Sequence, residues 1–126
     1  MDRKTKGRLG ELKVLAHLTE LGYELYTPFA DNSKFDVVAY KNGLLSRVSV
    51  KFTSEKTRNG KSWSVTIKQV SRRNDGAVKV DRFDHNAYDI LAVYIGPEDR
   101  VVLVPTSSFT ATTALTIPVM EGDLQV

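Results

Sequence analysis

Two apolar runs between Phe35 and Phe52 flank Asn42-Gly43, and no other feature of the chain restricts its fold as strongly. Asn-Gly between alternating apolar residues signals a two-residue hairpin loop, because both central residues of a type I′ turn need positive φ. Counting outward from that loop sets Lys41 against Leu44 and Asp36 against Ser49. Opposed side chains share one sheet face, with Cβ atoms about 5 Å apart. Alternation then adds Lys51 to the face of Asp36 and Ser49, and sends Phe35, Val37, Ala39, Val48, Val50 and Phe52 to the core face. A bulge would shift this register and separate the polar residues.

The surrounding sequence supplies a frame for the hairpin. From about Lys6 to Leu21, the residues Leu9, Leu12, Leu15, Ala16, Leu18 and Leu21 recur at helical spacing, and Gly22 stops the pattern. Tyr23 to Phe29 reads as a strand closed by Pro28 and the polar Asp31-Asn32-Ser33. Ser62 to Val70 alternates and predicts a half-exposed strand, followed by a loop over Ser71 to Gly76. Ile90 to Ile95 and Val101 to Val104 form a second hairpin, apolar enough for burial on both faces, and Leu115 to Val119 suits a short strand. One helix followed by several strands predicts an α/β or α+β fold on a single sheet.

A chain of 126 residues suits one domain spanning 1–126, with a core large enough to need no staples. It has no cysteine, which excludes a disulfide framework, thiolate zinc sites and a cysteine nucleophile, and a reducing cytoplasmic setting is expected. Its start lacks an apolar signal core and no later run approaches a membrane span, so no membrane partner is expected. The net charge of +3 is unevenly spread: residues 51–82 hold nine Lys/Arg against three Asp/Glu, and residues 83–126 hold one against six. A polyanion surface beside an acidic one fits that division. The phosphate-contacting candidates are Lys56, Arg58, Lys61, Lys68, Arg72, Arg73 and Lys79, with Trp63 interleaved.

Hydrolysing a phosphodiester takes a metal to polarise the phosphate and activate water, and Mg2+ is commonly held by one or two carboxylates. Asp36 offers one such ligand, and Glu11 in the early turns of the helix offers a second. Lys51 suits polarisation of the attacking water or stabilisation of charge building on the phosphate. His17 and His85 lack metal-ligand spacing, and no nucleophile elbow surrounds Ser107-Ser108.

The motifs Lys6-Gly7, Gly10-Glu11-Leu12, Gly22-Tyr23, Pro28-Phe29, Asp31-Asn32-Ser33, Phe35-Asp36-Val37-Val38 and Arg47-Val48-Ser49-Val50-Lys51 together resemble the PD-(D/E)XK nuclease superfamily. Within it the resemblance is nearest to the group I intron-associated homing endonucleases. It continues more loosely through Ser71-Arg72, Tyr88 to Tyr94 and Val101 to Pro105. The resemblance implies a restriction-endonuclease-like α/β core, a mixed central sheet with flanking helices, the N-terminal one bearing Glu11. It further implies a Mg2+-dependent endonuclease, with Mn2+ as substitute, cutting double-stranded DNA at specific sites. Glu11 and Asp36 are then the metal ligands and Lys51 the catalytic lysine, with Ser49 at the remaining catalytic position.

Ser49 departs from the pattern, since superfamily members usually carry Asp or Glu there and the intron-associated group tends to have Gln. Glu55 lies on the same face but about 13 Å of strand beyond Lys51, too far to replace it. Two alternatives therefore stand beside the homing-type nuclease: a Holliday-junction resolvase or repair nuclease on the same core, and a DNA-binding protein with a weakened site. A chain this short covers few base pairs, so a homo-oligomer, dimer or tetramer, is expected.

Overall fold

A computed structural model describes residues 1–30, 35–72 and 74–120. The Asp31 to Ser33 turn and Arg73 lie outside these residues. Helix α1 (Arg3–Glu20) begins earlier than its apolar pattern, because Asp2 caps it: the Asp2 carboxylate accepts from the Thr5 amide at 2.7 Å. It ends in a Schellman arrangement, in which the Gly22 and Tyr23 amides donate to the Thr19 and Leu18 carbonyls and Gly22 takes φ +91°. The buried stripe is Gly10, Val14 and Leu18, whereas Leu12 and Leu21 are exposed despite their helical spacing. Gly10 faces Phe52 and Tyr94, where an added Cβ would make ordinary contact, 3.6 Å from that of Phe52.

The strands that follow are β1 (Glu24–Tyr26), β2 (Val37–Lys41), β3 (Leu44–Thr53), β4 (Ser62–Thr66), β5 (Gln69–Arg72), β6 (Val78–Asp81), β7 (Ile90–Ile95), β8 (Arg100–Pro105) and β9 (Ala114–Pro118). A five-stranded mixed sheet runs β1-β2-β3-β7-β8, with β3 and β7 parallel and the other neighbours antiparallel. Its centre is the β2–β3 hairpin, whose loop residues Asn42 and Gly43 take φ 54° and 81° as a type I′ turn requires. Parallel pairing beside it is fixed by Asp89, whose carboxylate accepts from the Arg47 amide at 2.7 Å and from its guanidinium at 3.1 Å. The Arg47 side chain in turn holds that carboxyl below its usual range. This clamp seats the start of β7 against the middle of β3.

α1 is the one α-helix among the described residues, and it covers one face of the sheet over Val14, Leu18, Val37, Ala39, Val48 and Ala92. The small β4–β9 sheet covers part of the opposite face, joining Trp63, Val65 and Ile117 to Leu91, Val93 and Ile95. β7 feeds both cores by alternation, which explains its continuous apolar run.

Two expectations change in the middle of the chain. The segment Ser62 to Val70 is two strands, because the amides of Ile67 and Lys68 both donate to the Thr113 carbonyl and the chain turns away there. The expected loop from Ser71 is the end of β5, which pairs with β6 as a separate ribbon exposing Val70, Val78 and Val80. Trp63 is 3% exposed and lies in the core with Lys56 over its ring, so it is no stacking platform among surface cations.

Candidate active site at the edge of β3

The hairpin keeps its register from Lys41–Leu44 to Val37–Val48 and then breaks it. With a two-residue loop, hydrogen-bonded pairs alternate from Lys41–Leu44, so Val37 and Val48 are such a pair. The Asp36 amide also donates to the Val48 carbonyl, at 2.9 Å. Two consecutive residues thus oppose one, which is a bulge. Asp36 consequently does not stack on Ser49 as a plain ladder would have it. Its carboxylate turns into the edge of β3 and accepts from the Val50 amide at 2.7 Å, taking the place of the missing strand partner.

This edge position lies between the two faces of β3. On the α1 face, Asp36 and Val50 line a cavity of about 420 Å³ with Lys4, Gly7, Arg8 and Glu11. On the other face, Ser49 and Lys51 line one of about 520 Å³ with Gln69, Asp81, Asp84 and Tyr88. Glu11 therefore approaches the Asp36 carboxylate from one side and Lys51 from the other.

The electrostatics tie the three together. Burial pushes the Asp36 carboxyl above its ordinary value of 3.8, and the Val50 N–H and the Lys51 charge only partly oppose that rise. Burial likewise pushes the Lys51 amine down, with the Asp36 charge resisting. Glu11 is raised, first by burial and then by Asp36. The cavity thus sets two carboxyls beside the cations Lys4 and Arg8; a hard divalent ion that takes only one or two carboxylates fits this pair, and no larger cluster of metal-ligating side chains occurs among the described residues.

Ser49 is 4% exposed and brings only a hydroxyl to the position beside Lys51. Tyr88 joins the same cavity, its hydroxyl pushed up by burial and then by the charges of Asp36 and Asp84. No sequence pattern singles out Tyr88; the Asp89 clamp brings it there, and a clamp between distant strands leaves no local signal. His85 is structural, its ring nitrogens 2.9 and 2.8 Å from the carbonyls of Thr106 and Ala111.

The basic candidates separate. Arg58, Lys61 and Lys68 are exposed, Lys56 lies over Trp63, and Lys79 pairs with Asp81 at 3.7 Å. Arg72 belongs to β5 and Arg73 falls outside the described residues. Lys68 lines a cavity with Arg3 and Lys6 of α1. The four cations of the first two turns, Arg3, Lys4, Lys6 and Arg8, escape notice when the helix is started at Lys6. Their signal is an absence, since the first turn carries no acid.

The chain is similar to known proteins in sequence and in fold. A family model described as PD-(D/E)XK endonuclease matches residues 1–123. Protein 5.3 of Escherichia phage T7 is 31% identical over 106 residues, covering 83% of this chain and 80% of its own length. The solved structure of a bacterial homing endonuclease, I-Ssp6803I, superposes with a TM-score of 0.81 at 16% identity, over 100% of this chain and 84% of that one. The last similarity is one of fold.

Proposed function

Because this chain belongs to the PD-(D/E)XK endonuclease family, we propose that it hydrolyses DNA phosphodiesters as a divalent-metal-dependent endonuclease. The observation that carries this reading is the convergence of Glu11, Asp36 and Lys51 on the β3 edge, with both carboxyls raised and the amine lowered. Glu11 and Asp36 would hold Mg2+, or Mn2+ in its place, which when bound supplies Lewis-acid polarisation of the phosphate and a more acidic water.

The remaining work falls to the chain. The Val50 amide fixes the Asp36 carboxylate at the edge, leaving its other oxygen for a ligand. Lys51, with its proton affinity reduced by burial, can orient the attacking water and hold a proton near it, or as a cation offset charge gathering on the phosphoryl oxygens. Ser49 contributes a neutral hydroxyl where a carboxylate or amide would reach further. Double-stranded DNA is the substrate favoured; site-specific cutting is suggested by the fold shared with a bacterial homing endonuclease, and a homo-oligomer by how few base pairs one short chain can cover.

The test is cleavage of a randomised duplex library and of a four-way junction with Mg2+ or Mn2+. The expected result is cutting of the duplex, abolished by Asp36→Ala and by Lys51→Ala. Equal cleavage by either variant refutes the site, and preference for the junction converts the reading to a resolvase. The short Ser49 side chain favours one second reading, a DNA-binding protein with little activity. It prevails if calorimetry detects no divalent-metal binding while duplex is still bound.

A further inference from the structure

We propose that the first two turns of α1 form the track for the DNA strand leading to the site, with Lys4 and Arg8 beside the reacting phosphate and Arg3, Lys6 and Lys68 beside the phosphates next along. This assignment rests on the nuclease reading above. Three observations converge on it.

The first is that the cations sit where the helix itself disfavours them. Arg3, Lys4, Lys6 and Arg8 crowd the positive end of the macrodipole, where the single acid is the cap Asp2, engaged by the Thr5 amide, and no acid lies in the first turn itself. Lys4 and Arg8 are four apart and Arg3 and Lys6 three apart, both like-charge pairings that destabilise a helix. Among the described residues none of the four takes part in an ion pair, whereas Lys13, farther along the same helix, pairs with Asp99 at 2.9 Å. An external anion is the partner this arrangement lacks.

The second is placement. Lys4 and Arg8 line the cavity that holds Glu11 and Asp36, while Arg3 and Lys6, the latter 5.9 Å from the Phe52 ring, line a cavity of about 690 Å³ with Lys68, in which, among the described residues, Glu55 is the one acid against three cations. The two cavities border β3 at Val50 and Phe52, on the face that α1 covers. Val50 and Phe52 are two strand residues, about 7 Å, apart. The two cation pairs thus belong to neighbouring cavities along β3.

The third is charge. Two carboxylates in the reacting cavity repel a phosphate, so a polyanion reaches it only where cations flank them.

The test measures duplex binding by fluorescence anisotropy in EDTA, across a salt series, with the full chain. Arg3→Ala with Lys6→Ala, and Lys4→Ala with Arg8→Ala, should each make the plot of log affinity against log salt shallower by about 1.8, at roughly 0.9 for each phosphate left without its cation. Alanine favours helix, and far-ultraviolet circular dichroism checks that α1 persists. Lys13→Ala should leave the slope as in wild type, and Arg3→Lys with Lys6→Arg should restore it. Wild-type binding with unchanged slopes in both double variants overturns the track alone. A wild-type chain that neither binds nor cuts duplex overturns the nuclease reading and the track with it.

Discussion

Replacing Asp36 by Asn separates what the carboxylate does for the fold from what it does for chemistry. Asn keeps an oxygen for the Val50 amide, whereas Asp36→Ala strands that half-buried N–H, at about 1–3 kcal/mol for an unsatisfied donor. The order expected at neutral pH is therefore Asn above Ala by about that amount. Wild type and Asn differ by a second balance. Burial outweighs the hydrogen bond and the Lys51 charge in setting the direction of the Asp36 shift, so ionising this group weakens the fold. Asp36→Asn removes that penalty and should stabilise the metal-free protein by up to about 1 kcal/mol, a few degrees in Tm.

The pH dependence carries the sign. A carboxyl whose folded pKa is raised binds its proton more tightly in the folded state, so wild-type stability is fully present below the unfolded value near 3.8 and declines as pH rises through the folded one. The advantage of Asn should be absent at low pH, open across that window and stay level above it. Added Mg2+ should reverse the ranking: a ligand at 100 times its Kd stabilises by about 2.7 kcal/mol, and the Asn variant should gain far less. Urea and thermal melts in EDTA and in Mg2+, run beside a cleavage assay, make the comparison. An Asn variant less stable than Ala, or one that still cuts at the wild-type rate, refutes the reasoning.

Leu18→Ala empties a fully buried position under β2 and β3 and should cost about 2–5 kcal/mol by urea denaturation. Gly22→Val imposes a β-branched side chain at φ +91° and should cost at least about 1–2 kcal/mol, with the loss visible as a lower Tm. Ser49→Glu places a carboxylate beside Lys51 and should lower the Mg2+ concentration giving half-maximal cleavage; an unchanged midpoint in a folded variant would show that position 49 does not face the metal.

What is legible in the sequence is whatever is encoded by neighbours. The type I′ turn at Asn42-Gly43 announces itself in two residues, and it correctly fixes the ladder as far as Val37 and Val48. β7 and β8 follow from apolar runs long enough to have no other home. Glu11, Asp36 and Lys51 stand out as charges in or near apolar elements; in the structure Glu11 and Asp36 line one cavity and Lys51 another, on the opposite face of β3. The bulge at Asp36 is not legible, because it depends on one amide choosing the Val48 carbonyl that Val37 also uses. The start of α1 is hidden because its apolar stripe begins, at Leu9, about two turns after its Asp2 cap. The β5–β6 ribbon is obscured by Arg-Arg-Asn-Asp-Gly, which reads as a loop until Val78 to Asp81 arrives to pair with what precedes it. Trp63 misleads for the opposite reason: cations surround it in sequence, but its strand turns it inward.

The bulge also bears on how such a site can change over generations. A side chain held by another side chain survives only while both are inherited together. Asp36 is held by a backbone amide, which every amino acid except proline supplies at position 50. Substitutions at 49 and 51 can therefore accumulate without dislodging the carboxylate. Serine at position 49 is one state that this tolerance permits.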